Sequence, residues 1–271
     1  MKTEFNKQTI FVGSGGVEWR EGLPTFVLLH GAGLNRTVWV LLGRYFARHG
    51  YNVVIPDLPG HGASEGEPLV TIEDNASWVN SLVDHLAQSH PLANDNLIYC
   101  GHSMGSLVML EAAASRVAQM DKLLLLGSSA PMVVGAPLLD AARNNEHAAI
   151  EMINMFGHGF GSRIGNNPVS GISAYNTMEA LLEQADDGVL FADLNACNDY
   201  KNGDAAAKYL AGNAKVAVIA GDADRMTPAK LGAKLCSQLE GSYFLLKDCG
   251  HMMMSEQPET TLKAMKKALA G

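Results

Sequence analysis

Short apolar runs alternate along the chain with longer segments whose apolar residues recur at helical spacing. The short runs predict buried strands, and the longer segments predict amphipathic helices. The predicted strands are Glu4–Val12, Thr25–His30, Asn52–Asp57, Asn96–Gly101, Lys122–Leu126, Lys215–Ala220 and Tyr243–Leu246. The predicted helices between them are Val38–His49, Ile72–Ser89, Ser103–Val117, Pro228–Leu239 and Pro258–Ala270. This alternation is typical of an α/β fold, a mainly parallel sheet with helices on both faces.

The alternation stops between about residue 131 and residue 200. No strand pattern is evident there, and the predicted helices are Leu138–Phe156, Thr177–Ala185 and Val189–Leu194. An all-helical insertion late in such a sheet predicts a cap over the carboxyl ends of the strands, where ligands of open α/β sheets bind. We therefore expect a core domain of residues 1–130 and 201–271, and a helical cap, or lid, of residues 131–200.

Composition narrows the class of partners. The net charge is −8 and no Lys/Arg cluster offsets it, so we expect no nucleic-acid partner. No apolar run reaches the ~18 residues of a membrane span, and the first residues lack the apolar core of a secretory signal. Four scattered cysteines favour free thiols in a reducing compartment. We expect a cytoplasmic protein with a small-molecule substrate, and its oligomeric state stays open.

The strongest chemical signal is the sequence Gly101-His102-Ser103-Met104-Gly105. It lies between a predicted buried strand and a predicted helix, where flanking glycines permit a sharp turn that exposes the serine hydroxyl. The start of the helix supplies free backbone N–H groups beside that hydroxyl. The alternative is an ordinary strand-to-helix turn with a capping serine. We interpret Ser103 as a nucleophile.

Four further segments, together with this one, resemble the α/β-hydrolase fold family, in its serine-nucleophile branch with a helical cap. They are HGAG (30–33), DLPGHGASE (57–65), GDADRMTP (221–228) and GHMMMSEQPE (250–259). They occur in the family's order: oxyanion loop, serine, acid and histidine. The resemblance covers nearly the whole chain outside the predicted cap.

The chemistry of a serine nucleophile requires a base and an acid. His251 follows a strand and is the best candidate base, because imidazole accepts and donates protons near neutral pH. Asp222 and Asp224 both follow the strand that begins at Lys215. The family's usual spacing to a proline favours Asp224 as the acid that orients the histidine, while Asp193 and Asp199 lie outside the expected position.

The resemblance also implies an oxyanion hole, formed by the backbone N–H groups of Met104 and Ala32. His30, His61 and His102 are expected to form loop hydrogen bonds rather than to react. No metal-binding histidine motif is present, so we expect no catalytic metal. We also expect no cofactor.

Methionines are concentrated in the segments that surround the predicted site. Nine of the thirteen lie there: Met104, Met132, Met152, Met155, Met178, Met226, Met252, Met253 and Met254. Methionine fills irregular apolar space, so these residues form either an adaptable pocket or ordinary core. We expect Leu34, Met132, Met226 and Met252 to contact the substrate. The glycine-rich stretch Gly157–Asn167 is either a gate or an exposed cap turn.

These features predict hydrolysis of a small, mostly apolar carboxylic ester, lactone or thioester through an acyl-enzyme. One alternative is a carbon–carbon bond hydrolase of ring-fission-type diketones, which needs a cationic or polar anchor such as Arg163 or Arg225. Another is a ligand-binding signalling protein that turns over slowly. A turnover measurement on an activated ester separates the signalling protein from the enzymes.

Overall fold

The computed structural model describes residues 1–92, 96–166, 168 and 170–271, and its centre is an eight-stranded sheet. The strands are β1 (Lys2–Phe5), β2 (Gln8–Gly13), β3 (Thr25–Leu29), β4 (Asn52–Pro56), β5 (Leu97–His102), β6 (Met120–Leu126), β7 (Lys215–Gly221) and β8 (Ser242–Leu246). Their order is β1-β2-β4-β3-β5-β6-β7-β8. β2 runs antiparallel to β1 and β4, and the pairs from β4 to β8 are parallel. The predicted α/β fold is confirmed.

One predicted strand is wrong: Glu4–Val12 is two strands, β1 and β2, joined by a tight turn. Asn6 and Lys7 form that turn with φ angles of 53° and 64°. Two consecutive residues with positive φ let a two-residue loop reverse the chain with the twist that an antiparallel pair requires. Asn-Lys is a weaker turn signal than Asn-Gly. The sequence pattern therefore predicted one continuous strand where the structure has two.

Helices follow each strand from β3 to β8. They are α1 (Val40–Arg48), α2 (Ile72–Ala87), α3 (Met104–Ser115), α4 (Ala136–Arg143), α5 (His147–Gly157), α6 (Phe160–Arg163), α7 (Ala174–Leu182), α8 (Val189–Asp199), α9 (Gly203–Leu210), α10 (Ala229–Gln238), α11 (Met253–Glu256) and α12 (Pro258–Ala270). The predicted helix Leu138–Phe156 is two helices, because Asn145 has a positive φ of 53° between α4 and α5. The short α6, α9 and α11 were not predicted.

The sheet is buried on both faces. Successive side chains of a strand point to opposite faces, and the central strands are apolar at nearly every position. On β3, Val27 and Leu29 join one apolar cluster with residues of α2, α3, α9 and α10, while Phe26 and Leu28 join another with residues of α1 and α12. This two-sided packing explains why the strands lack a polar–apolar alternation.

A third apolar cluster lies between the helices α4, α5, α7 and α8 and the loops that follow β3 and β8. Leu34 and Met252 contribute from the loops, and Ile153, Met178 and Leu182 from the helices. These helices are part of the segment that connects β6 to β7. Within the described part of that segment no residue is in a strand.

The structure also shows the state of the cysteines and the lengths of the helices. Cys100, Cys197, Cys236 and Cys249 are all free and buried. Among the described helices, none is both long enough and apolar enough to cross a bilayer.

Candidate active site

Ser103 occupies the turn between β5 and α3. Its φ of 55° and ψ of −122° are strained for a residue with a side chain, and such strain is commonly found at functional sites. The two flanking glycines make the turn possible, because neighbouring backbone atoms lie where a side chain at either position would have its Cβ. A Cβ on Gly101 would lie 2.0 Å from the Gly105 carbonyl oxygen, and one on Gly105 would lie 2.3 Å from the His30 carbonyl oxygen. The backbone therefore holds Ser103 at the head of α3, at the end of a central strand.

Asp224 and His251 form a buried pair beside this turn. His251 Nδ1 lies 2.8 Å from Asp224 Oδ2, and both side chains are almost fully buried. The other carboxylate oxygen accepts hydrogen bonds from the backbone N–H groups of Met226 and Thr227, each at 2.8 Å. Burial acts to raise the pKa of Asp224, but the adjacent His251 and the Thr227 hydrogen bonds outweigh it, so the pKa is lowered. An ionised Asp224 fixes the proton on Nδ1 and leaves Nε2 as the proton acceptor.

Asp222 lies elsewhere, although only two residues separate it from Asp224. Its carboxylate is 3.3 Å from the Lys247 ammonium at the protein surface. The strand β7 ends at Gly221, and the loop that follows directs the first aspartate outward and the second inward. The structure thus brings Asp224, and not Asp222, against His251.

The loop that carries His251 is fixed from two sides. His102 Nε2 donates to the backbone oxygen of His251 at 2.9 Å. On the other side, His251 N donates to the Gly157 oxygen at 2.7 Å. Burial, and then the neighbouring His251, lower the pKa of His102 to about 3, so its ring is neutral near pH 7. Among the described residues, the side chain of His251 contacts Asp224 and Thr227 through Nδ1, and it has no hydrogen bond to Ser103 Oγ; catalytic hydrogen bonds are often long before substrate binds.

Two backbone amides are available beside Ser103. Within the described part of the chain, the N–H groups of Ala32 and Met104 have no hydrogen-bond acceptor. The loop after β3 passes close to Ser103, because a Cβ on Gly31 would lie 3.1 Å from Ser103 Cβ. Unpaired amides at the head of a helix and in an adjacent loop can stabilise an oxyanion that forms next to the serine.

The predicted substrate-contact residues separate into two groups. Leu34, Met226 and Met252 belong to the apolar cluster shared with α4, α5, α7 and α8. Met132 instead packs in the cluster on the α3 face of the sheet. Met253, which follows Met252 directly, packs with α1 and α12 on the opposite face. The methionine-rich segments are thus divided between the site and the core, and contact of these residues with substrate stays a prediction.

A buried acid that the sequence analysis placed outside the expected position, Asp193, lies next to the loop that follows β3. Asp193 Oδ2 is 2.8 Å from Gly33 N and 2.8 Å from His61 Nε2. The ring of His30 packs 4.9 Å from that of His61. Burial lowers the pKa of His30 to about 3. Asp193 is 132 residues from His61 along the chain, so no local pattern connects the two.

The positively charged side chains proposed as anchors lie outside the apolar cluster. Arg163 is exposed and stands over the Phe160 ring, and Arg225 is exposed over the Phe156 ring.

Within the described residues, one set of side chains has metal-ligand spacing, with its ligand atoms within 4.8 Å of one another. It consists of His147, Glu179 and Glu183. These side chains are partly or largely exposed on α5, on α7 and at the residue after α7, and the two ring nitrogens of His147 lie 3.7 and 3.8 Å from the carboxylate oxygens of Glu179 and Glu183.

Comparison with known proteins agrees with this architecture. The model of the alpha/beta hydrolase family matches residues 26–264. This chain belongs to that family. The match extends over the loops of Ser103, Asp224 and His251 and over the inserted helices. The resemblance inferred from the motifs is therefore confirmed.

Individual relatives share about a third or less of their residues with this chain over the aligned regions. A pimeloyl-[acyl-carrier protein] methyl ester esterase of Cronobacter sakazakii is 34% identical over 116 residues, which are 43% of this chain and 40% of that protein. The chain thus spans about two fifths of that relative's length. A protein of the same name from Aromatoleum aromaticum is 28% identical over 255 residues, covering 87% of this chain and 94% of the relative. The enol-lactonase from Burkholderia xenovorans LB400 has the same fold, with a TM-score of 0.84, 20% identity and full coverage of both chains.

Proposed function

We propose that this hydrolase cleaves small, mostly apolar carboxylic esters, including lactones or thioesters, through an acyl-enzyme on Ser103. The observation that carries the proposal is the position of Ser103, held in a strained turn near two backbone amides that have no acceptor among the described residues. The buried Asp224–His251 pair lies beside it. The relatives support the choice of bond, because their names describe cleavage of a methyl ester and of an enol lactone.

The reaction follows from the roles of these groups. Ser103 Oγ attacks the carbonyl carbon while His251 Nε2 takes its proton, and the N–H groups of Ala32 and Met104 stabilise the oxyanion. The tetrahedral intermediate collapses, and the carbon–oxygen bond of the leaving alcohol breaks as His251 returns the proton to it. A water molecule, deprotonated by His251, then attacks the acyl-enzyme. This attack forms a second tetrahedral intermediate. When that intermediate collapses, the bond between the acyl carbon and Ser103 Oγ breaks, His251 returns the proton to Oγ, and the acid is released.

We further propose that residues 131–200 form a cap over a core of residues 1–130 and 201–271. Helices α4, α5, α7 and α8 pack against Leu34 and Met252 through apolar side chains. An apolar surface of this kind suits an uncharged acyl group. The carbon–carbon alternative requires a polar anchor, and the exposed positions of Arg163 and Arg225 give it no support. A cytoplasmic location and the absence of a nucleic-acid partner stay predictions.

Turnover of short-chain p-nitrophenyl esters tests the proposal. Ser103→Ala should leave the fold intact and lower kcat by roughly 10⁴-fold or more. A fluorophosphonate should label Ser103, as located by mass spectrometry of the digested protein. Labelling at Ser106 or Ser128, or no turnover by the wild type, would overturn the assignment and favour a ligand-binding role.

A further inference from the structure

A single carboxylate oxygen connects the inserted helices to the oxyanion loop. Asp193 lies on α8 with its side chain 1% exposed. Its Oδ2 accepts the Gly33 N–H at 2.8 Å and faces His61 Nε2 at 2.8 Å. Gly33 and His61 come from two different loops of the core, so one side chain of α8 joins both.

The hydrogen bonds of His61 define its charge. Its Nδ1 lies 2.9 Å from the Pro59 carbonyl oxygen, which can only accept, and its Nε2 faces a carboxylate. Both ring nitrogens therefore carry protons, and the ring is cationic. Burial alone would lower the pKa of His61, but the Asp193 carboxylate outweighs it and the pKa is raised. Its other ionisable neighbours are His30, which is neutral, and Asp57, which is paired with Arg36.

The contact with Gly33 bears directly on the donor amide of Ala32. Gly33 follows Ala32 and has a positive φ of 64°. A Cβ there would lie 2.9 Å from Leu190 Cδ1, which also belongs to α8. Asp193 and Leu190 thus hold one side of the turn, and the Leu34 N–H donates to the Gly31 oxygen at 3.2 Å within it.

We propose that Asp193, paired with His61, is a positioning residue that fixes the Gly31–Leu34 turn so that the Ala32 N–H faces the reacting carbonyl. The inference rests on the ester-hydrolase function proposed above. The cationic His61 has a second effect, because it neutralises a carboxylate that would otherwise oppose negative charge developing nearby. Helix α8 then contributes to catalysis through Asp193, in addition to forming part of the apolar surface proposed to receive the acyl group.

The test compares variants that separate the hydrogen bond from the charge. Asp193→Ala removes both, and it should lower kcat about 10- to 100-fold with little change in KM, since loss of an oxyanion donor outright costs 10²–10³-fold. Asp193→Asn keeps an acceptor for Gly33 N–H, and it should retain kcat within about 5-fold. Asp199→Asn, on the same helix but exposed, is the matched control and should behave as the wild type.

A second comparison covers the case in which Asp193→Ala does not fold. His61→Ala leaves Asp193 as an unpaired buried carboxylate, so kcat should fall by more than in Asp193→Asn. Adding Asp193→Asn to His61→Ala should then restore part of the lost kcat. Simple addition of the two losses would overturn the proposed role of the charge pair.

A transition-state mimic supplies a readout that a purely structural role would not change. A trifluoromethyl ketone adds to Ser103 and forms an oxyanion, so its inhibition constant should rise in Asp193→Ala in parallel with the loss of kcat/KM. If the wild type turns over and Asp193→Ala keeps both values within twofold, this inference fails alone. If the wild type shows no turnover that depends on Ser103, the proposed function fails and the inference fails with it.

Discussion

Acidification to about pH 5 should destabilise this protein, because three buried histidines are neutral when folded and gain protons on unfolding. Burial lowers the pKa of His30 and His102 to about 3 and that of His158 to about 4. All three rings are neutral in the folded protein at pH 5, whereas an unfolded histidine, with a pKa near 6.5, is protonated there. A depressed folded pKa gives stability that is present above the unfolded value and is lost as the pH falls. His61, with its raised pKa, is protonated in both states and contributes nothing in this range.

The magnitude follows from proton linkage. Each histidine that gains a proton only on unfolding costs about 1 kcal/mol between pH 6 and pH 5, so the three together cost about 3 kcal/mol. Urea unfolding followed by circular dichroism at pH 6.0, 5.5 and 5.0 measures this directly. His102→Gln should lose about 1 kcal/mol less than the wild type over the same interval. His49→Gln, at an exposed position, is the control and should show the full loss. A wild-type loss under about 1 kcal/mol would refute the reasoning, because the rings would then be charged when folded.

The remaining predictions concern the acid and the substrate. Asp224→Asn should lower kcat by several orders of magnitude, since the wrong His251 tautomer cannot act as base, while Asp222→Asn should have a far smaller effect; the opposite ranking in steady-state kinetics would contradict the assignment. Adjacent members of a series of p-nitrophenyl esters should differ about 4-fold in kcat/KM, because one buried methylene is worth about 0.8 kcal/mol. A preference of orders of magnitude for one short chain would exclude an adaptable apolar pocket. Arg163→Ala should leave activity on these esters unchanged, and a loss on every ester would show that this exposed side chain is essential.

The parts of the fold that sequence patterns predicted are those that depend on local chemistry. The central strands, such as Thr25–Leu29, are apolar runs buried on both faces, and apolar runs are visible in the sequence. The turn at Ser103 is equally visible, because only glycine fits at Gly101 and Gly105. Boundaries set by a single dihedral angle, as at Asn145 between α4 and α5, were missed. Asparagine tolerates positive φ but does not require it, so the helical pattern reads through it.

In the candidate site, too, the residues with a distinctive local sequence were predicted, and those brought together only by tertiary packing were not. Ser103, Asp224 and His251 lie on loops with distinctive local sequences, and the structure places the last two 2.8 Å apart. The pairing of Asp193 with His61 has no such signature, because it depends on how α8 docks on the core. A lone aspartate in a helix is usually a solvated residue, and only the complete packing identifies this one as buried.

The helices between β6 and β7 contact the candidate site at two points, the His251 loop and the Gly31–Leu34 turn. At one, Gly157 O accepts the backbone N–H of His251 at 2.7 Å. Nearby, Glu256 Oε2 accepts the Gly159 N–H at 2.8 Å, which ties the same turn to the histidine loop. At the other, Asp193 holds Gly33. A rigid-body movement of the inserted helices away from the core would break both contacts, the one with the His251 backbone and the one with Gly33. The proposed cap is thus held to the loops of the proposed triad and oxyanion hole by hydrogen bonds, in addition to its apolar packing against Leu34 and Met252.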